Sequence, residues 1–372
     1  MKLILHIGQS KTGTTAIQTF LKANRKKLIE QKFLYPDYYI SGMPLNTLNH
    51  NCFAEELSGL TRRPGFSSDE YMQQFRAELK ANECNTLILS AESFLGTPQV
   101  WRLQEGKEFW EAHSEKIKTL KNLTSDFDIK LIAYFKSPED WFETTVSQVI
   151  RYAGLFGKNV YENDEQLFSL LKPHLDYPKH LTLWKETLNP AQMMVMPYER
   201  KQLVQHDIIN DFCDKLDIDL RALEHSETIT HSSLDRRYVE VKKILNDTPH
   251  SKTEERTINA CLDRLNSKLT RIQTYRIDAG LREKAEDYCS FVHSWMSEHY
   301  AKDSAIFFTI EDKAITKPDS LSKEEIAKAM HDFKRMYNAP SMRIFRLKEV
   351  TKYYLRKKQP KIYAFIKNIL PR

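Results

Sequence analysis

Residues 3–21 read LILHIGQSKTGTTAIQTFL, and they combine an apolar run, a loop of small and hydroxyl residues, and a helical pattern. The run 3–7 has the length and composition of a buried β-strand. Gly8 and Gly13 permit tight turning and a close approach of the backbone to a ligand. The two threonines after Gly13 stand where a helix begins, with apolar residues recurring at helical spacing behind them. This stretch therefore predicts a strand, a loop and a helix in direct succession.

The predicted loop has the features of an anion-binding turn. Its backbone N–H groups converge where the helix dipole adds positive potential, and Lys11 brings a mobile positive charge. Gly8 and Gly13 fit the spacing of G-x-x-x-x-G-K-[ST], but Thr14 occupies the lysine position of that nucleotide-binding pattern. The expected ligand is a phosphate or another tetrahedral oxyanion. The alternative is an ordinary Gly/Thr turn at a helix N-terminus.

Residues 11–15, Lys-Thr-Gly-Thr-Thr, resemble the 5′-phosphosulfate loop of the sulfotransferases, whose pattern is K-[ST]-G-T-T after a short first strand. The resemblance is to bacterial, carbohydrate-type members, which take their sulfuryl group from 3′-phosphoadenosine-5′-phosphosulfate (PAPS). It implies that the loop holds the 5′-phosphate of this donor and that Lys11 also stabilises charge on the leaving phosphate. The donor-binding residues that it implies here are Lys11, Thr12, Gly13, Thr14 and Thr15.

A second strand–loop–helix pattern, residues 129–151, extends the resemblance. In sulfotransferases this unit binds the 3′-phosphate of the donor through an arginine at the strand end and a serine eight residues later. The corresponding residues here are Lys136 and Thr144, which keep the charge and the hydroxyl but lose the two-pronged guanidinium. The resemblance implies a 3′-phosphate site with weaker or differently arranged recognition. The alternative is a solvated lysine and an ordinary helix threonine.

Short apolar runs alternate with helical patterns over the first 220 residues, which is typical of a parallel α/β sheet. Ligands of such sheets bind beyond the carboxyl ends of the strands, where Lys11, Glu92 and Lys136 all fall. The predicted fold is α/β, a P-loop-like three-layer sandwich with a central parallel sheet, plus a mostly helical C-terminal half. The predicted strands lie at 3–7, 86–90, 130–135 and 192–196.

The chain is predicted to form one sulfotransferase domain followed by a tail. The domain spans 1–340, with an α/β core over 1–220 and a helical part over 230–340, and the tail spans 341–372. Between residues 343 and 372 there are ten Lys or Arg against one acid, although the formal net charge of the whole chain is +6. This basic amphipathic tail is either a solvated terminal helix or a contact to an anionic membrane surface. Its apolar residues at helical spacing are Ile362, Phe365, Ile366, Ile369 and Leu370.

Composition favours an intracellular enzyme without a metal. The five cysteines are scattered and form no C-x-x-C pair, which argues for reduced thiols and against a disulfide frame or a zinc site. The twelve histidines show no metal-ligand spacing. No apolar run is long enough to span a membrane and no signal segment is recognisable, so a cytoplasmic location is expected, with the tail as a peripheral contact to the inner face of the membrane. Nucleic acid is not an expected partner, because no recognition motif accompanies the basic charge.

Transfer of a sulfuryl group to a hydroxyl or amine requires a general base, because the acceptor loses a proton. Glu92 is the first candidate, since it follows a predicted core strand and sulfotransferases acting on glycans often place a glutamate in the site. His50 is the second candidate, because it lies in the polar cluster Asn49-His50-Asn51 and other sulfotransferases use histidine. The alternatives are a surface or helix-capping carboxylate for Glu92 and a loop histidine held by its neighbours for His50.

The resemblance implies a sulfotransferase that moves a sulfuryl group from PAPS to a hydroxyl or amine of a glycan or glycolipid, releasing adenosine 3′,5′-bisphosphate (PAP). Such in-line transfer asks the protein mainly for positioning and charge stabilisation. Two other function classes stay open. A P-loop kinase or other phosphotransferase using Mg-ATP would need the Walker lysine that this loop lacks. A non-catalytic nucleotide-binding protein is favoured by the departures at Lys136 and Thr144.

Overall fold

The chain forms two compact units, each assembled from segments that are distant in sequence. The first unit comprises Met1–Phe142, Phe168–His231 and Gly280–Lys313, and the second comprises Glu143–Leu167, Ser232–Ala279 and Ala314–Arg372. The predicted domain of residues 1–340 and the predicted tail of 341–372 stay predictions. The computed structural model describes residues 1–37, 39–40, 43–44, 48–59, 67–96, 106–152, 164–224, 233–277, 279–301, 306–309 and 321–358.

A sheet of five parallel strands lies in the first unit. The strands of the described chain are β1 (Lys2–Ile7), β2 (Phe33–Leu34), β3 (Tyr39–Ile40), β4 (Met43–Pro44), β5 (Thr86–Ala91), β6 (Asp128–Phe135) and β7 (Gln192–Pro197). The order in the sheet is β2-β5-β1-β6-β7, and β3 and β4 form a separate antiparallel pair. The four predicted strands are confirmed to within two residues at each end, and so is the α/β class with a central parallel sheet. The strand β2 was not predicted, because two residues are too few to show a pattern.

Helices make up most of the remaining described chain. They are α1 (Thr14–Ala23), α2 (Arg25–Glu30), α3 (Asn51–Glu56), α4 (Ser68–Ala81), α5 (Glu92–Leu95), α6 (Gly106–Leu123), α7 (Pro138–Tyr152), α8 (Asp164–Leu175), α9 (Tyr177–Leu183), α10 (Ile208–Lys215), α11 (Arg236–Asn246), α12 (Lys252–Asn266), α13 (Ala279–Tyr300), α14 (Lys323–Tyr337) and α15 (Pro340–Lys358). The helix predicted after Gly13 begins at Thr14, as expected.

The two faces of the sheet are buried under different helices, because neighbouring residues of a strand point to opposite faces. On one face Leu3, Leu5 and Ile7 of β1 pack with side chains of α3, α4, α6 and α9. On the other face Ile4 packs with side chains of α1 and α10. Each fully buried aliphatic side chain contributes about 2 kcal/mol, so both layers fix the register of the strands. The carboxyl ends of the parallel strands consequently lie along one edge of the sheet.

The described part of the second unit includes the helices α11, α12, α14 and α15. The helix α14 contacts α11 and α12, and α15 contacts α12. Capping boxes begin two of these helices, with Ser251 and Glu254 at α12 and Ser322 and Glu325 at α14.

The helix α15 covers the first part of the predicted tail and continues to Lys358. The apolar residues predicted to follow it lie outside the described residues. Within the described ranges, every helix is too short or too polar to cross a lipid bilayer.

Candidate functional site

The loop between β1 and α1 requires glycine at two positions. A Cβ on Gly8 would lie 2.2 Å from Cγ2 of Thr14, so a larger residue would collide with the start of the helix. Gly13, the N-cap of α1, has a φ of 75°, in the left-handed region that glycine adopts readily. Lys11 is exposed and has a φ of 70°, a conformation that costs a lysine about 1 kcal/mol. Backbone strain of this kind is concentrated at functional sites.

The N-terminus of α1 faces this loop and has no side-chain cap. The N–H groups of Ala16 and Ile17 donate to the Gly13 carbonyl. The next N–H groups toward the loop are those of Thr14 and Thr15. N–H groups in the first turn of a helix have no partner within the helix, and anions bind to them. The Thr14 side chain is buried and that of Thr15 is exposed. The predicted succession of strand, loop and helix is therefore present, and the anion site itself stays a prediction.

Gln9 connects this loop to the end of β6. Its Oε1 accepts a hydrogen bond from the backbone N–H of Lys136 at 2.9 Å, and its Nε2 donates to the Tyr177 hydroxyl at 2.7 Å. The Tyr177 hydroxyl donates in turn to the Lys136 carbonyl at 3.2 Å. Inside the loop, the buried Thr12 hydroxyl donates to the Gln9 carbonyl at 2.6 Å. These bonds fix the loop relative to β6, and they give the Thr12 hydroxyl a structural partner.

Glu92 is the first residue of α5 and follows β5 directly, so it lies beside the loop. The Thr14 hydroxyl donates to its Oε1 at 2.6 Å. Its Oε2 accepts from the side-chain amides of Asn51 at 3.2 Å and Gln18 at 3.4 Å. The side chain is half-buried. The structure thus brings together two residues that the sequence singled out independently, one for the anion-binding loop and one as a general base.

His50 lies deeper than Glu92 and is held by backbone groups. Its Nδ1 accepts from the Ser90 N–H at 3.0 Å, and its Nε2 lies 3.2 Å from the Pro36 carbonyl, to which it donates in the matching tautomer. The ring is only 1% exposed and is packed by Tyr35 and Phe75. Burial lowers the pKa of His50 to about 4, so the ring is neutral at physiological pH. This geometry matches a loop histidine held by its neighbours, which was the alternative interpretation of His50.

The two residues predicted for the 3′-phosphate lie in different units. Lys136 directly follows β6 in the first unit, and its side chain is half-buried. Thr144 lies on α7 in the second unit, which begins at Glu143. The predicted 3′-phosphate site therefore stays a prediction.

A buried hydrogen-bond network adjoins Glu92. The Ser90 hydroxyl lies 2.8 Å from Nδ1 of His6 and accepts from the Gln18 amide at 3.3 Å. Burial lowers the pKa of His6 to about 3, which keeps this ring neutral. Gln18 donates to both Ser90 and Glu92, so it joins a neutral buried pair to the half-buried carboxylate.

The short helix that carries Glu92 is anchored by Lys116. The ammonium group of this fully buried side chain donates to the carbonyls of Ser93 at 2.8 Å and Gly96 at 3.4 Å. Burial lowers the pKa of Lys116 to about 7. The N–H of Ser93 donates to the Asn51 side chain at 3.1 Å. The helix is thus held by a lysine at its carbonyl groups and by an asparagine at an N–H group.

Several residues of this network were not predicted as functional, and the sequence contains a signal for only some of them. Gln18 follows Thr14 by four residues and so interrupts the apolar stripe of α1 with a polar side chain on the same face. Asn51 lies in the polar cluster with His50. The sequence around Gln9 and Tyr177 gives no hint of their contact, because 168 residues separate them.

The loop after β1 lies where the strand order changes direction, with β5 on one side of β1 and β6 on the other. Ligands of open parallel sheets bind at such points, beyond the carboxyl ends of the strands. Fold and site therefore define an α/β protein with a polar cluster at the carboxyl edge of its sheet. Comparison with protein-family models, curated proteins and solved structures finds no match to this chain. In the part of the chain that the structure describes, no three or more His, Cys, Asp or Glu side chains are grouped to hold a metal ion.

Proposed function

We propose that this chain is a P-loop-like sulfotransferase that transfers a sulfuryl group from PAPS to a hydroxyl or amine of a glycan or glycolipid. The observation that carries the proposal is the hydrogen bond of 2.6 Å between the Thr14 hydroxyl and Glu92. It joins the loop whose sequence resembles a 5′-phosphosulfate loop to a carboxylate suited to accept a proton. The acceptor class rests on the resemblance alone.

The loop residues have the chemistry that this donor requires. The N–H groups at the start of α1 and the hydroxyls of Thr14 and Thr15 suit the 5′-phosphate, and Gly8 leaves the space into which Thr14 packs. Lys11 supplies positive charge where negative charge grows on the leaving phosphate. Lys136 is proposed to supply positive charge to the 3′-phosphate, and the role predicted for Thr144 stays a prediction.

The proposed reaction breaks the bond between sulfur and the bridging oxygen of the donor and forms a bond between sulfur and the acceptor oxygen or nitrogen. PAP leaves with the bridging oxygen. The acceptor proton passes to Glu92, which is half-buried and held by three hydrogen-bond donors, and His50 is not assigned a step. Placement of the carboxylate beside the donor loop supports this role, since a general base acts within hydrogen-bond reach of the proton it removes.

The proposal is tested first by calorimetric titration of the full chain with PAP in the absence of metal, beside a titration with Mg-ATP. We expect low-micromolar binding of PAP that is lost in Lys11→Ala. Lys26→Ala is the matched control, because Lys26 is an exposed lysine of α2 outside the loop. Its affinity for PAP should equal that of the unaltered protein.

Transfer of labelled sulfate from PAPS to glycan and glycolipid acceptors is the second measurement. Binding of Mg-ATP alone would replace the proposal with the kinase alternative. Binding of PAP without transfer to any acceptor would instead favour a non-catalytic nucleotide-binding protein.

A further inference from the structure

The two sides of α15 differ in their surroundings. On one side Met342 is fully buried, and its sulfur accepts a hydrogen bond from Arg264 of α12 at 2.9 Å. The Arg264 guanidinium lies 5.8 Å from the centre of the Phe345 ring. Glu349 pairs with Arg256 of α12 at 3.3 Å. These contacts hold one side of α15 against α12.

The opposite side carries apolar residues that the second unit does not cover. Ile344, Leu347 and Val350 are 56%, 67% and 50% exposed. Their spacing of three residues places them in one stripe along the helix. Arg343 and Lys348 are exposed beside this stripe. We call the surface formed by these five residues the outer face of α15.

The segment that contains this face is strongly basic in sequence. Glu349 is the only acid between residues 343 and 372, which include ten Lys or Arg. Glu349 pairs with Arg256 of α12, so this single negative charge lies on the side of α15 that faces α12. The outer face therefore combines exposed aliphatic side chains with two exposed positive charges.

We propose that the outer face of α15 lies on an anionic membrane surface. Aliphatic side chains insert at the boundary between lipid headgroups and acyl chains, while Lys and Arg attract the anionic headgroups. A second copy of the chain is a poorer partner, because it would bring two strongly positive segments together. A nucleic acid would satisfy the charge, but none of the five residues of the outer face is aromatic, so its bases would have no ring to stack on. This inference is independent of the proposed enzymatic activity.

The test is co-sedimentation of the full chain with vesicles of phosphatidylcholine alone or mixed with phosphatidylglycerol at a ratio of about three to one. We expect binding to the mixed vesicles only, and release at high salt because charge attraction is screened. The triple variant Ile344→Ser, Leu347→Ser, Val350→Ser should bind at least about tenfold more weakly. The double variant Arg343→Ser, Lys348→Ser should bind roughly thirtyfold more weakly.

Matched controls come from the same unit. Ile244→Ser removes an aliphatic side chain that is 47% exposed on α11, and the pair Lys268→Ser, Arg271→Ser removes two exposed charges. Both controls should bind as the unaltered protein does. Thermal melts establish that all variants fold.

Four results would overturn the proposal. They are absence of binding to mixed vesicles, equal binding to neutral vesicles, unchanged binding of folded outer-face variants, and a dimer in analytical ultracentrifugation that the triple variant abolishes. The last result would assign the face to self-association.

Discussion

Titratable side chains at the carboxyl edge of the sheet differ in exposure from titratable side chains in the interior beneath it. At the edge, Lys11 is exposed and Glu92 is half-buried. His6, His50 and Lys116 lie in the interior, on either face of the sheet, and we call them the buried group. Each of their side chains is at most 1% exposed and burial lowers its pKa, to about 3, 4 and 7 respectively. In the proposed reaction, depth rather than residue type therefore separates the groups that would meet a substrate from the groups that hold the fold.

The largest expected effect distinguishes the two candidate bases. In the proposed reaction Glu92→Gln should lower kcat by about 10²–10⁴-fold, because the amide cannot accept the acceptor proton, while PAP binding persists. His50→Ala should leave kcat per folded molecule within a few-fold, but it should lower the free energy of unfolding by about 3 kcal/mol, because it leaves a cavity and two unpaired backbone groups. Turnover assays and urea unfolding measure the two quantities. A decade or more of lost turnover in folded His50→Ala would contradict the division.

The next effect concerns the shape of the loop. Gly8→Ala should weaken PAP binding by about 100-fold, because the new Cβ would lie 2.2 Å from Cγ2 of Thr14 and displace the start of α1. Thr14→Ser removes that methyl group and keeps the hydroxyl that donates to Glu92. The double variant should therefore regain most of the lost affinity in calorimetry, and its failure to do so would show that the contact between Gly8 and Thr14 does not determine the shape of the site.

A smaller effect concerns Lys116 of the buried group. The folded-state pKa of Lys116, about 7, lies below its ordinary value of 10.5. The unfolded chain therefore binds more protons than the folded chain between these values, so Lys116 makes the free energy of unfolding increase with pH in this window. From pH 7 to pH 9 its contribution is about 2 kcal/mol. Buried cysteines such as Cys213 and Cys261, whose pKa burial raises, act in the opposite direction but are common to both proteins. Between pH 7 and pH 9, urea unfolding should therefore show a change in the free energy of unfolding that is about 2 kcal/mol more positive in the unaltered protein than in Lys116→Met. An equal change in both proteins would contradict it.

The smallest effect concerns the end of β6. Lys136→Ala should weaken PAP binding by about tenfold through loss of one charge, since its backbone groups, which bind Gln9 and Tyr177, stay in place. Lys136→Arg should strengthen binding several-fold, because the guanidinium makes two parallel hydrogen bonds to a phosphate. Adenosine 5′-monophosphate, which lacks the 3′-phosphate, is the control ligand. Equal changes for both ligands would remove Lys136 from 3′-phosphate recognition.

Local pattern predicted the elements of this fold better than the contacts of its site. The strands at 3–7 and 130–135 and the helix beginning at Thr14 follow from apolar runs and glycine positions, which act over a few residues. The strand order and the depth of His50 depend on packing between distant segments, so no local pattern reports them. His50 and Glu92 are both polar residues near the carboxyl end of the same strand. Only the fold shows that the two ring nitrogens of His50 are hydrogen-bonded to backbone groups of Ser90 and Pro36.

The hydrogen bond between Thr14 and Glu92 has a consequence for the order of events in the proposed reaction. A threonine hydroxyl has one hydrogen to donate, and here Glu92 accepts it. A donor phosphate that takes this hydrogen releases Oε1 of Glu92, which can then accept the hydrogen of an incoming hydroxyl. Binding of the donor in the loop and release of Oε1 of Glu92 to accept a proton then occur together. The kinetic scheme that follows is sequential, with the nucleotide bound before the acceptor.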